Sequence, residues 1–135
     1  MAKDRFHDAV RMALEKEEWT ITADPYEISV GEVDFEIDLA AEMLAAERAG
    51  EKIAVEIKSF IGRSSVSEFH TALGQFINYQ FALEEFEPER KLYLAVPESI
   101  YNSFFQRRFI RSVIERTQIR LLVYHEKQEV IVQWL

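Results

Sequence analysis

A chain of 135 residues that is 48% apolar and 13% aromatic can bury one hydrophobic core, and it predicts a single domain over residues 1–135. The absence of cysteine excludes disulfides and thiolate-held metals, and His7, His70 and His125 are too scattered for a zinc motif, so any metal must be held by oxygen. A net charge of -8 argues against a protein that coats nucleic acid by itself.

That charge is unevenly spread. Residues 1–90 hold 20 acidic and 9 basic residues, a balance of -11, whereas residues 91–135 hold 4 and 7, a balance of +3. A polyanion would therefore lean on the C-terminal third or on a partner's surface. Neither a signal-peptide pattern nor an apolar run of about 18 residues is present, so a soluble cytoplasmic protein with no membrane segment is expected.

From Ala2 to about Glu18, Phe6, Val10, Met12, Ala13 and Leu14 fall mostly at helical spacing and predict an amphipathic first helix. Trp19-Thr-Ile-Thr predicts a short strand ended by Asp24-Pro25. A loop or ragged strand follows through Tyr26 to Ser29, with Gly31 as a turn. Between Val33 and Arg48 two signals compete. Residues 39–48 are rich in helix formers, but Ala49-Gly50 followed by Lys52-Ile-Ala-Val-Glu56 favours two strands folded back through a turn near 47–50. The hairpin brings Asp38 to the level of Glu56.

Gly62-Arg-Ser-Ser65 precedes a second helix to about Phe86, capped by Ser65 or Ser67 with Glu68 completing a capping box. Phe69, Leu73, Phe76, Gln80 and Leu83 mark its stripe, and Glu87-Pro88 ends it. Lys91 to Val96 reads as a strand buried on both faces. Ser99 to Arg116 predicts one continuous third helix, with Ile100, Phe104, Phe105, Phe109, Val113 and Ile114 inside and Arg107, Arg108, Arg111 and Arg116 outside. Two strands, 119–124 and 129–134, close the chain; Trp134 covers either the sheet or a partner. The order α-β-β-β-α-β-α-β-β predicts an α/β layer fold, a mixed sheet flanked by helices.

Lys52 to Phe60 carries the chemistry. Strand alternation places Ile53, Val55 and Ile57 on one face and Ala54, Glu56 and Lys58 on the other. Glu56-x-Lys58 is either an ion pair on a solvated sheet or part of a phosphate and metal site. Cleaving a phosphodiester needs a cation, carboxylates to hold it and a cationic or basic group near the attacking water. Asp38, Glu56 and the Ile57 carbonyl could supply oxygens to magnesium, with Lys58 beside them. His7 is either a surface or capping histidine or one that approaches this site. Arg107, Arg108 and Arg111 are either a solvated face or a track for a DNA backbone.

Ile37-Asp38 followed by Ala54-Val-Glu-Ile-Lys58 resembles the PD-(D/E)XK motif of the restriction-endonuclease-like superfamily, although Ile37 replaces the motif's proline. The resemblance implies that Asp38 and Glu56 bind Mg²⁺ (or Mn²⁺) and that Lys58 positions or activates the water. It also implies roles for Gln75 and Tyr79, four residues apart on the following helix and so on one face. More narrowly, the chain resembles the XisH family through Met1 to Asp8, Ile37-Asp-Leu39, Ala54 to Phe60, Ala72-Leu-Gly-Gln75, Leu92 to Pro97 and Val130 to Trp134. That likeness implies control of excision of the cyanobacterial fdxN element, together with a small XisI protein and a site-specific recombinase. Two readings follow from it: a magnesium-dependent DNA endonuclease, for which a homodimer would supply two cuts, or a non-catalytic accessory that keeps the nuclease fold to bind DNA, recombinase or partner.

Overall fold

The computed structural model describes residues 2–44 and 49–135, with side chains from residue 5 onward. Its elements begin with α1 (Ala2–Lys16), β1 (Trp19–Ala23), β2 (Tyr26–Val30), β3 (Val33–Ile37), β4 (Leu39–Met43) and β5 (Lys52–Ile57). There follow α2 (Ser65–Phe86), β6 (Lys91–Pro97), α3 (Glu98–Tyr101), a 3-10 turn (Phe104–Gln106), α4 (Arg108–Thr117), β7 (Leu121–His125) and β8 (Val130–Trp134). The competition over residues 39–48 resolves as strand for Leu39–Met43; residues 45–48 lie outside the described part.

Six strands form a mixed sheet in the order β1-β4-β5-β6-β7-β8. Neighbours β5, β6 and β7 run parallel, and β4 and β8 join them antiparallel. Three strands were expected before α2, and five are described. One extra strand is Tyr26–Val30, regular and not a ragged loop, and the other arises because the stretch after Val33 splits at Asp38 into β3 and β4. β2 and β3 pair from Tyr26↔Ile37 to Val30↔Val33 as a separate two-stranded sheet. Gly31 and Glu32, at φ 53 and 71, make the two-residue turn whose twist suits a tight hairpin.

Both faces of the large sheet are covered. Phe6, Val10 and Leu14 of α1 pack on Leu39, Ala41, Ile53, Val55, Leu122 and Tyr124. On the other face Phe69, Phe76 and Leu83 of α2 pack on Ala54, Leu92, Leu94 and Val96. The alternation in β5 thus separates two cores; it does not separate a core from solvent. Trp134 covers the sheet: its ring lies 4.9 Å from Tyr93 and 5.8 Å from Trp19, and its Nε1 donates to Glu17 at 3.0 Å.

Three local expectations need correction. Ser64, not Ser65 or Ser67, caps α2, accepting from the Ser67 amide at 3.1 Å. Glu68 is consequently four residues past the cap, one too many for a capping box, and accepts from the Gly62 amide at 3.3 Å. The helix expected over Ser99 to Arg116 is broken at Asn102-Ser103 and again at Arg107, which is extended at φ -62, ψ 134. The break turns Phe104 and Phe105 onto Phe60 and Phe69. It also resets the helical phase, so Ile110 faces the core while Phe109, expected inside, is 74% exposed.

Arg90 had no sequence signal. It is buried, and its guanidinium donates to the carbonyls of Ile53 (2.9 Å) and Ala41 (3.3 Å) and to both oxygens of Glu87 (2.6 and 3.2 Å). The Tyr26 hydroxyl donates to the same carboxylate, and the guanidinium lies 4.9 Å from the Tyr26 ring. This fork ties β4, β5, the small hairpin and the end of α2 together, at the end of β5 away from Glu56.

Candidate functional site

Asp38 is the single residue between β3 and β4, at the bend where the chain passes from the small sheet to the large one. Ile37 and Leu39 on either side are fully buried in opposite cores, so the bend is pinned. The pairing of β4 with β5 sets Leu39 opposite Val55, which brings Asp38 beside Glu56. One Asp38 carboxylate oxygen accepts from the Ile57 amide at 2.7 Å, and one Glu56 oxygen accepts from the Asp38 amide at 3.3 Å. Lys58 continues the parallel ladder, donating its amide to the Ala95 carbonyl at 3.0 Å. Its Nζ lies 3.6 Å from the second Glu56 oxygen.

Glu56 is only 6% exposed, and that decides its electrostatics. Burial, followed by the nearby Asp38 carboxylate, pushes its carboxyl up from the ordinary 4.5 to about 7, against the pull of Lys58 and the Asp38 amide. Near neutrality this carboxylate binds a proton readily and would be held charged by a cation. Tyr79, half-buried on α2, has its hydroxyl pushed up to about 12 by burial and then by Glu56, Asp38 and Glu36, so it stays a proton donor facing three acids. Its ring meets Phe35 edge-on at 6.0 Å.

Of the residues singled out from sequence, the fold brings Asp38, Glu56, Ile57, Lys58 and Tyr79 together. Gln75 stands one turn before Tyr79, with its Oε1 buried and without a hydrogen-bond partner. His7 does reach this region. It lines a cleft of about 140 Å³ with Phe6, Asp38, Ile57, Ser59 and Ile61, and its Nε2 lies 2.8 Å from Asp24. Asp24 also accepts from Arg11 at 2.6 Å; although burial pushes its carboxyl up, the bonds from His7 and Arg11 hold it below its ordinary range. Glu36 carried no sequence signal and enters through the β3 register. Arg107, Arg108 and Arg111 are exposed, on and just before α4, and none of them forms a salt bridge to Asp38 or Glu56.

The donor set suits a hard cation. Asp38 and Glu56 offer carboxylate oxygens, and the orphaned Gln75 Oε1 is a further buried acceptor on the adjoining helix. No group of three or more His, Cys, Asp or Glu suited to a metal exists among the described residues. A cation here would keep several waters, as magnesium does and as zinc in a closed site does not. No described helix is long and apolar enough to cross a membrane.

The family model described as XisH protein matches residues 1–132. The fold is similar to the crystal structure of an XisH family protein from Nostoc punctiforme, at 54% identity and a TM-score of 0.91, over 98% of this chain and 99% of that one. It is equally similar to an fdxN element excision controlling factor protein from Anabaena variabilis, at 54% identity and a TM-score of 0.90, over 97% and 98% of the two chains. No curated protein matches.

Proposed function

The chain belongs to the XisH family, and from that premise we propose that it controls excision of a DNA element through a magnesium-dependent, nuclease-like site of the PD-(D/E)XK kind. The observation that carries this reading is the convergence of Asp38, Glu56 and Lys58 at adjoining ends of β4 and β5. The mixed sheet flanked by helices and the neighbouring factor from Anabaena variabilis support it.

In this reading Asp38 and Glu56 hold Mg²⁺, or Mn²⁺, with the Ile57 carbonyl. A magnesium ion bound there supplies the positive charge that a phosphodiester needs as it is attacked. Lys58 places its ammonium beside Glu56 to orient the attacking water. The Tyr79 hydroxyl and the Gln75 amide, on the helix above, orient the phosphate or its water. DNA lies along the basic C-terminal third, with Arg107, Arg108 and Arg111 on its backbone. A small XisI-type protein and a site-specific recombinase complete the assembly, and a homodimer would provide a second cut.

A non-catalytic accessory role is the second reading, and the charge of -11 over residues 1–90 favours it, because a polyanion finds few cations around the carboxylates. Cleavage of supercoiled, branched and linear DNA with Mg²⁺ or Mn²⁺, with and without the small partner, separates the two. Lys58→Ala and Asp38→Asn should each lower cleavage at least about a hundredfold while leaving the melting temperature within a few degrees. Wild-type protein silent on every substrate in the presence of the partner would refute the nuclease. Excision that survives Glu56→Ala and Lys58→Ala would establish the accessory.

A further inference from the structure

Phe109 is the most exposed large apolar side chain among the described residues, at 74%, and it belongs to neither core. It stands in the first turn of α4 among arginines. Arg107 and Arg108 precede it, Arg111 follows, and Arg116 lies seven residues on, about 20° from it around the helix. All four arginines are exposed, and none has a carboxylate partner among the described residues. Glu115, the one acid of α4, sits on the Arg111 side, roughly 120° from the ring. Arg108 lies about 100° from the ring, while Arg111, two residues on, is about 160° away on the far side of the helix. In a chain of net charge -8, a bare aromatic ring flanked by the unpaired Arg108 and Arg116 is a local inversion of the surface.

The cluster is tied to the candidate site through packed rings. The Arg107 guanidinium lies 5.3 Å from the Phe104 ring. Phe104 and Phe105 pack on Phe60 at 6.0 and 5.4 Å, two residues beyond Lys58. α3 and the 3-10 turn leave the sheet at the end of β6, whose Ala95 pairs with Ile57. The ring therefore stands off the same end of the sheet as Glu56 and Lys58.

We propose that Phe109, with Arg108 and Arg116, is a binding element for an unpaired DNA strand: a base stacks on the ring while the guanidiniums neutralise the flanking phosphates. Duplex DNA covers its base faces and offers the ring nothing, whereas an unpaired base offers a π face at each step. The inference rests on the reading of the site as DNA-processing and narrows its substrate to DNA with an unpaired segment beside the scissile bond, such as a flap, a bubble or a branch.

The test is equilibrium anisotropy in EDTA, so that nothing is cut, with a labelled oligodeoxythymidine of about 16 nucleotides and a blunt duplex of the same length. Wild type should prefer the single strand. Phe109→Ala should weaken single-strand binding about tenfold and duplex binding less than about twofold, and Phe109→Trp should restore it. Arg108→Ala with Arg116→Ala should weaken both and flatten the salt dependence. Because the ring is exposed, Phe109→Ala should melt with wild type. A single-strand affinity indifferent to Phe109→Ala, or a wild-type preference for duplex, would overturn the proposal and leave the ring to a protein contact. Protein that binds the single strand through Phe109 yet cuts nothing with Mg²⁺ would overturn only the nuclease, and protein that cuts but ignores Phe109→Ala would overturn only this proposal.

Discussion

Replacing Glu56 by Gln should stabilise the protein while disabling its site. In the unfolded chain this carboxyl titrates near 4.5, and in the folded protein burial and Asp38 carry it to about 7. Below 4.5 both states hold the proton and the residue is neutral in each. As pH rises the unfolded chain releases the proton first, so the folded state loses stability through this window and the deficit is complete above 7. At ~1.4 kcal/mol for each tenfold change in proton affinity, the full deficit is about 3 kcal/mol. Glu56→Gln removes the charge and keeps the shape. Its unfolding free energy, measured with urea from about pH 5 to about pH 8, should gain on wild type by up to about 3 kcal/mol as pH rises. Taking the difference between the two proteins cancels the histidines and the other acids. A cation held by Asp38 and Glu56 would remove the same deficit, so Mg²⁺ should stabilise wild type near pH 8, lose that effect towards pH 5, and leave Glu56→Gln unmoved. A difference that stays flat with pH would refute the account of Glu56, and a Mg²⁺ effect equal in both proteins would refute the metal site.

Two further outcomes test the framework around the site. Arg90→Ala should cost about 3–5 kcal/mol in urea unfolding, because it removes the donor to two buried strand carbonyls and the main cation of the Glu87 carboxylate, and Arg90→Lys should recover little, since an ammonium cannot span that fork. Glu32→Gly, at φ 71 in the hairpin turn, should raise the unfolding free energy in urea by about 0.5 kcal/mol, with no change in DNA affinity beyond that of a lost surface charge.

What could be read from sequence followed the range of the physics involved. Asp38 and Glu56 meet because the antiparallel pairing of β4 with β5 fixes their register, and the alternation of Lys52 to Glu56 after Ala49-Gly50 signals that pairing in sequence. Tyr79 was singled out by the family resemblance, and the helical period only set it on one face with Gln75. Phe109 was misplaced because periodicity assumes one unbroken helix, and the breaks at Asn102-Ser103 and Arg107 are set by where Phe60 and Phe69 wait in the core. Arg90 was invisible because its partners, Ala41, Ile53 and Glu87, come from three elements and leave no spacing to recognise. Tyr26–Val30 was read as ragged because only Ile28 is buried there, and half of its support is the partner strand β3. The pH behaviour of Glu56 likewise depends on burial by both cores, which alternation along β5 does not report.

The small hairpin acquires a meaning from what it lacks. Between Tyr26 and Ile37 the exposed Glu27, Glu32, Asp34 and Glu36 meet no lysine or arginine in the same segment. This arm contacts α2 and β5, beside the carboxylate pair, and so stands as a fence of one sign. If the site takes DNA as proposed, a polyanion drifting in over this arm would be repelled, while one arriving past α4 would not. A partner that seats on the arm would then have to bring the positive charge the arm withholds, opening by neutralisation a second route to the site.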